Sequence, residues 1–524
     1  MATAALLPVA LSMWLILISL WLALWGAANL ALAVRHDSLD SLSRAAAGAA
    51  RSAGVTGWLA SGWGALAPVV PAMEPVASAG ATLRTISAAG LELAPVLPAA
   101  LGADGPQQYL VSALNDAELF GSGGAPLNAS VLEADRGALT VPVSGSVSAE
   151  LNPGNEPYPW DVTGGLPWYR PGAEYPFANS NYHPDFRVSG TNMQAAWNAL
   201  DLAEVEGVIT IDVVAVAAVL SATGPVTTQA FGEVSADNVI RTVLVDAYRE
   251  YPEFPPESNL ARQAGNAELQ DLVIERLRDP RTALRAVRAL WDVLPGRHIQ
   301  AYMADPALQA TVCALGAGGA LSEPSGDVLG VFLQSGPSKL AVFQEQRIER
   351  RVQLAADGSA QVRQRVRFTN AVPEGLAGDA DKYRSYLALT YRQRVAFRIP
   401  DSAMEPTVAV DGDRELVRPD ATGPFPDSAG AQVLWQGQDI APRAQSVTEV
   451  SYRLPAGTFS GTDGLDYQLT ADPQAMVSPP EVELIVEFPA GSASTGQADG
   501  WAIDGATATW TGTLDRPLAV GVHD

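Results

Sequence analysis

The sequence predicts an α/β protein built in four parts: an N-terminal transmembrane helix, a helical spacer, a layered α/β domain and a C-terminal β-sandwich region of one or more domains. Three observations predict it. No side chain is charged from Ala2 to Val34; strands and helices alternate from Gln107 to residue 337; and beyond Ser338 the apolar period changes to two. At 524 residues the chain is long enough for roughly two to four domains with real cores.

The anchor occupies residues 1–35. Leu6 to Val34 sets Trp14, Trp21 and Trp25 among leucines, and a helix rising about 1.5 Å per residue over that stretch crosses roughly 30 Å of hydrocarbon. Ala31-Leu32-Ala33 also fits a signal-peptide cleavage pattern. The apolar core of such a peptide runs only about 7–15 residues, so a retained, single-pass anchor is the expectation. Residues 36–106 form the spacer: Leu39, Leu42, Ala46, Ala49 and Ala50 recur at helical spacing, and Pro68, Pro71, Pro75 and Pro95 interrupt it.

Residues 107–337 form the α/β domain. Tyr109 to Leu114 is an apolar run of strand length, and Ser130 to Ala134 and Ala138 to Val143 flank the turn Asp135-Arg136-Gly137 as a hairpin. Val208 to Ile211 reads as a buried strand, after which Asp212 can cap a helix over residues 213–221. Helical periodicity returns over residues 238–251 and 261–294. A strand over residues 298–303 then leads through Asp305-Pro306 into another helix, proline suiting a first turn that needs no N–H. Val328 to Leu333 is expected to close the α/β sheet.

In residues 338–524, Val362, Val366 and Phe368 point one way while Arg363, Arg365 and Arg367 point the other. Joined to residues 347–354 through Asp357-Gly358, this run reads as a hairpin. Further strand-like runs at residues 386–399, 407–410, 433–435, 447–454, 481–488 and 507–514, split by Pro, Gly and Asp, predict the sandwich.

Composition excludes several functions. With 33 Lys and Arg against 57 Asp and Glu, the formal net charge is −24, which argues against nucleic acid as a partner because phosphate binding is built on cations. Cys313 stands alone, so no intramolecular disulfide forms. His36, His183, His298 and His523 are too dispersed for a local zinc motif. Phosphate-cradling glycine loops, dinucleotide fingerprints and a serine-hydrolase elbow are absent, and no motif names a cofactor.

Ordered motifs carry a resemblance. Leu101-Gly-Ala-Asp-Gly-Pro106, Asn115-Asp-Ala-Glu118-Leu119, Gly123-Gly124, the run Asn179 to Phe186, the run Glu206 to Asp212 and Thr223-Gly-Pro225, with Gly296-Arg-His298 and Gly330 to Lys339 further on, resemble the bacterial DUF4012 proteins. Those proteins are expected to carry arginine where this chain has Phe120. The element from Gly207 to Val226 is also distantly similar to the LytR-CpsA-Psr proteins, membrane-anchored enzymes that transfer glycopolymers from lipid pyrophosphate carriers to the cell wall. That similarity implies an extracytoplasmic body, an envelope role and a divalent cation. It outweighs Arg35, Arg44 and Arg51, which by the positive-inside rule alone would keep the domain in the cytoplasm, since long domains translocate largely regardless of charge.

Site candidates concentrate in Leu151 to Arg187, where Tyr158, Trp160, Trp168, Tyr169, Tyr175, Phe177, Tyr182 and Phe186 lie among prolines and glycines. Such a long aromatic segment is functional or covers an open edge of the α/β domain. Transfer of a phosphorylated group needs a carboxylate or imidazole for protons and cations for charge. Asp185, Arg187 and Glu118 are therefore the catalytic candidates, and Asn115, Trp168, Arg170, Tyr182 and His183 the substrate-binding ones. The plainer readings are a helix cap for Asp212, a structural ion pair for Glu118 and a solvated strand face for Arg363, Arg365 and Arg367. The partners this implies are the membrane, an envelope glycopolymer or polyprenyl-phosphate lipid, and other envelope proteins. The alternative is a non-catalytic envelope scaffold.

Overall fold

The computed structural model describes residues 87–252, 256–277, 280–336, 338–377, 390–415, 423–461, 464–490 and 500–523, with scattered residues between 43 and 84. The transmembrane segment expected in residues 1–35 and most of the spacer expected in 36–106 lie outside the described residues. Among those described, no helix is long and apolar enough to cross a membrane. The protein is mixed α/β with several sheets. It divides into two compact units, a smaller one from the residues up to Tyr109 with Val131–Val143 and Met303–Gly318, and a larger one from Leu110–Ser130, Ser144–Tyr302 and Gly319–Asp524.

In chain order the first elements are strands β1 (Gln107–Phe120), β2 (Gly123–Asp135) and β3 (Ala138–Ser146), helix α1 (Phe186–Asn198), strand β4 (Gly207–Ile211) and helix α2 (Val213–Thr223). A short pair β5 (Val226–Thr228) and β6 (Gly232–Val234) follows, then helices α3 (Pro256–Leu277) and α4 (Pro280–Val293), strand β7 (Ile299–Met303) and helix α5 (Pro306–Ala314). A five-stranded sheet has the order β3-β2-β1-β4-β7. The turn between β2 and β3 holds Arg136 and Gly137 at φ of 49° and 85°, the left-handed pair that a tight hairpin requires. Asp212 caps α2 by accepting the Ala215 N–H at 3.0 Å, and Asp305 caps α5 through the N–H groups of Ala307 and Leu308. The single helix expected over residues 261–294 is two helices, because Pro280 cannot donate the hydrogen bond that would carry α3 onward.

The remaining strands are β8 (Asp327–Ser335), β9 (Gln344–Leu354), β10 (Ala360–Asn370), β11 (Tyr391–Pro400), β12 (Met404–Val410), β13 (Asp413–Glu415), β14 (Phe425–Pro426), β15 (Ala431–Ile440), β16 (Gln445–Leu454), β17 (Asp466–Asp472), β18 (Glu481–Glu487), β19 (Trp501–Asp504), β20 (Thr507–Thr513) and β21 (Leu518–His523). They form an eight-stranded sheet, β13-β12-β16-β10-β9-β18-β20-β19, and a six-stranded sheet, β14-β15-β11-β8-β17-β21. The two sheets share one core, in which Ile348, Val352, Val362 and Val366 of the first pack with Leu329, Val331, Val395, Phe397 and Leu469 of the second. Strict alternation along β9 and β10 leaves Arg363, Arg365 and Arg367 exposed, with Arg363 and Arg365 both near Glu449.

The run Val328 to Leu333 does not close the α/β sheet. As β8 it pairs antiparallel with β11 and parallel with β17. All nine of its residues are buried, because the core lies on one face and Trp168 and Trp435 pack with Phe332 on the other. A strand covered on both faces reads as a continuous apolar run, which carries no mark of the sheet it joins.

Between the sheets sits a fully buried ion pair. Arg350 reaches Asp327 with Nη2–Oδ1 at 2.5 Å and Nε–Oδ2 at 3.1 Å, while Tyr452 and Tyr467 donate to the same carboxylate at 2.8 and 2.9 Å. Arg350 also donates to Gln364. Removing one partner strands the other charge, so Arg350→Met is expected to lower unfolding free energy by about 3–5 kcal/mol in chemical denaturation, with Arg350→Met/Asp327→Leu recovering much of the loss. A single-variant loss below about 1 kcal/mol would contradict the assigned pairing.

Candidate functional site

The aromatic segment ends at the start of α1. Asp185 is the cap there, accepting the Arg187 N–H at 2.9 Å, and the Arg187 guanidinium folds back onto the same carboxylate through Nε at 3.1 Å and Nη2 at 2.7 Å. Ser428 donates to Asp185 Oδ2 at 2.6 Å. Burial acts to raise the Asp185 carboxyl, but these bonds from Arg187 and Ser428 overturn it and hold the group below the ordinary carboxylate range. His183 lies beneath. Its Nδ1 accepts the Asp185 N–H at 3.0 Å, Ser189 donates to its carbonyl, and its ring meets Trp168 edge-on at 5.6 Å. Burial lowers its pKa from 6.5 to about 4.

The rest of the segment covers the outer face of the six-stranded sheet. Trp168 packs on Trp435 at 4.9 Å, Tyr169 stacks on Tyr182 at 5.8 Å, and the Tyr169 hydroxyl both donates to the Asn179 carbonyl and accepts from the Tyr182 N–H. Arg170 points to solvent beside this cluster. Deeper in, Arg398 is fully buried. It donates to Asp427 at 2.6 Å, to Asp472 at 2.7 Å and to the Ser322 carbonyl at 2.7 Å, and Arg297 shares Asp472 at 3.0 Å.

Where the covering segment stops, a cleft of about 740 Å³ opens. Its wall includes Glu118, Phe120, Tyr182, Gln334, Arg392 and Arg394. Phe120 meets Tyr182 edge-to-face at 4.7 Å. Burial and the neighbouring Glu118 carboxylate push the Tyr182 phenol up. Glu118 is paired with Lys339, whose side chain is buried and whose ammonium lies 5.8 Å from the Tyr248 ring centroid. Asn115 donates to the Tyr248 hydroxyl at 2.8 Å and accepts the Ala117 N–H at 2.9 Å. On the far wall Arg392 faces Asp439 at 3.3 Å, whereas Arg394 has no ion-pair partner among the described residues. A Cβ at Gly437, the cross-strand partner of Arg394, would meet nothing within 4 Å, so the sheet surface at that glycine is open.

Of the residues singled out from the sequence, Glu118 and Tyr182 line this cleft. Asn115, Trp168, Arg170, His183, Asp185 and Arg187 do not. Sequence reasoning missed Arg392, Arg394 and Gln334. The available signal was the alternation Tyr391-Arg392-Gln393-Arg394-Val395, which marks both arginines as sharing the face opposite the core, but the same pattern occurs in the solvated row of β10. Elsewhere, Asp212 accepts from or donates to His298 Nδ1 at 2.6 Å, and burial together with Asp212 raises the nearby Asp116 carboxyl well above its ordinary range. Among the described residues no three His, Cys, Asp or Glu side chains are grouped to hold a metal ion.

Part of this arrangement, including the aromatic segment, falls within a recognisable region. Residues 104–248 match the family model described as a protein of unknown function (DUF4012). The matched DUF4012 region contains Asn115, Glu118, Phe120 and the whole aromatic segment; Arg392 and Arg394 lie outside it. None of the curated proteins matches the chain. Among solved structures, protein gbs0355 from Streptococcus agalactiae is similar at 12% identity and TM-score 0.28, over 41% of this chain and 74% of that one. The B. subtilis protein TagV is similar at 11% identity and TM-score 0.23, over 43% and 87%. The transcriptional regulator yvhJ from Bacillus subtilis is similar at 12% identity and TM-score 0.23, over 43% and 85%.

The buried imidazole makes a pH prediction. Because His183 titrates at about 4 when folded and at 6.5 when free, the unfolded chain binds the proton first, and stability falls as pH drops from 6.5 towards 4. The contribution is roughly 3 kcal/mol over that window. His183→Gln should lack this slope, read as the difference between wild-type and variant urea midpoints at pH 7 and pH 4.5. Asp185 acts only at lower pH, so it leaves the comparison intact. Parallel slopes would show that His183 is hydrated and charged in the folded protein.

Proposed function

We propose that this is a single-pass, membrane-anchored envelope protein whose larger unit binds a phosphorylated or polyprenyl-linked glycan on the extracytoplasmic side. The observation that carries the reading is the composition of the cleft: Arg392 and Arg394 share its lining with Phe120, Tyr182 and the Glu118 carboxylate. Guanidinium forks match phosphate oxygens, aromatic faces suit sugar rings or isoprenyl chains, and a carboxylate accepts from sugar hydroxyls.

Binding is the reading that this geometry favours over transfer. Asp185 and Arg187, which a transfer step would need, satisfy each other at the start of α1, and the carboxylate is fully buried under Ser428. No transfer step is therefore assigned to them. The uncharged run from Ala2 to Val34 supports the anchor, and the distant similarity of the element from Gly207 to Val226 to the LytR-CpsA-Psr proteins supports the extracytoplasmic side.

The binding reading is tested with a short-chain polyprenyl phosphate and the full chain in mild detergent. Arg394→Ala should weaken binding roughly tenfold or more, as expected for a lost charge-assisted contact, and added salt should weaken the wild type in the same direction. Undiminished binding by Arg394→Ala, or none by the wild type, would favour the scaffold alternative. Topology has its own measurement: protease added to intact spheroplasts should digest the chain beyond Arg35, and full protection of that region would place it in the cytoplasm.

A further inference from the structure

Strand β15 carries a glycine that nothing within the chain requires. Gly437 lies inside the strand, and its φ is outside the left-handed region that favours glycine. The ladder between β11 and β15 runs through it without a shift in register, so it marks no bulge. Packing does not exclude a side chain there either, since a Cβ would meet nothing within 4 Å. Other strand glycines differ. At Gly330 the added carbon would lie 2.8 Å from Phe332, at Gly512 2.5 Å from Trp510 and at Gly521 2.5 Å from Gln468.

Glycine weakens a strand, because it loses more backbone freedom on folding than other residues and brings no side chain to pack. With no turn, bulge or internal contact to call for it, Gly437 points to the close approach of something from outside the chain. Its position selects what that is. Cross-strand pairing puts Gly437 on the same face as Arg394, with Gln334 of β8 on the other side of the arginine, and all three line the cleft. Trp435 and Asp439, two residues either way along β15, share that face, the first against Trp168 and the second 3.3 Å from Arg392. Bare backbone therefore lies beside Arg394 towards β15, while a side chain fills the place towards β8. Strand β14 pairs only with Val433 and Gln432 of β15, so among the described residues no strand lies beyond Gly437.

We propose that Gly437 is the specificity-determining residue of the cleft: the sugar ring next to the ligand's phosphate lies flat on the backbone there, while Arg394 holds the phosphate. Asp439, at one end of that place, accepts from a ring hydroxyl. This rests on the reading of the cleft as a glycan-phosphate site. It adds a direction: the rest of the glycan leaves across the open side of β15.

Calorimetric titration of the full chain in mild detergent, with N-acetylglucosamine 1-phosphate and with inorganic phosphate, tests both levels. The sugar phosphate should bind more tightly. Gly437→Val should reduce that affinity by about tenfold or more, because its side chain occupies the place of the ring, while leaving inorganic phosphate unchanged. Its melting temperature should equal or exceed that of the wild type, because valine suits a strand and its Cβ has room. Arg394→Ala should weaken both probes. Gly437→Ala serves as the second variant should Gly437→Val fail to fold, and it should weaken the sugar phosphate alone. Unchanged sugar-phosphate affinity in the folded variant would overturn the role of Gly437, while the arginine effect left the cleft reading standing. Equal loss of both probes would overturn it too, since the new side chain would then disturb Arg394 and displace no ring. Binding of neither probe to the wild-type protein would overturn both levels.

Discussion

The arrangement of the larger unit depends on burying the Arg398 guanidinium with each of its nitrogens engaged. Its three nitrogens go to Asp427, Asp472 and the Ser322 carbonyl, and Asp472 is shared with Arg297, which also donates to the Ala320 carbonyl. Each buried ion costs several kcal/mol in lost hydration, so such a cluster persists only when its geometry is complete. Arginine suits the role and lysine would not: a planar fork can serve two carboxylates and a carbonyl at once, whereas an ammonium is a compact charge that keeps its water tightly. The chain's positive charge is almost wholly arginine, with only Lys339 and Lys382 as lysines.

That cluster sets the walls of the cleft. Arg398 projects from β11, four residues along the same face of the sheet from Arg394. Asp427 is followed by Ser428, whose hydroxyl meets Asp185 at the start of α1. The aromatic segment before α1 is thereby tied to the sheet it covers, with Trp168 on Trp435 and Tyr182 at the margin. Fixing both ends this way pre-organises Tyr182 against Phe120, so the ligand would not have to order that wall when it binds.

Local patterns carried much of this into the sequence, and distance in the chain hid the rest. The β9–β10 hairpin was legible because alternation along both strands leaves one reading of their faces. Asp212 was legible as a helix cap. Asp185 obeys the same rule at α1, yet its neighbours His183 and Arg187 drew a chemical reading towards it. The cleft itself was not legible, since Glu118 and Arg394 are separated by more than half the chain and meet only after β8 leaves the α/β elements to pair with β11. No single-sequence period encodes which sheet a doubly covered strand will join.

Phe120 gives the cleft a particular character. A guanidinium there, as the family resemblance leads one to expect, would stand near Tyr182 and add a further cation to a cleft that already holds Arg394. Phenylalanine makes that wall apolar and leaves cationic recognition to β11. The whole chain is meanwhile strongly acidic at −24, so an anionic polymer is repelled at long range, while salt limits that repulsion to about 8 Å at physiological ionic strength. On the proposed reading, attraction must then arise inside the cleft, over a few ångströms, from Arg394 and from Arg392, which is shared with Asp439. A charge-only ligand gains little from such a surface; one that also brings a sugar face or an isoprenyl chain to Phe120 and Tyr182 gains from burial as well.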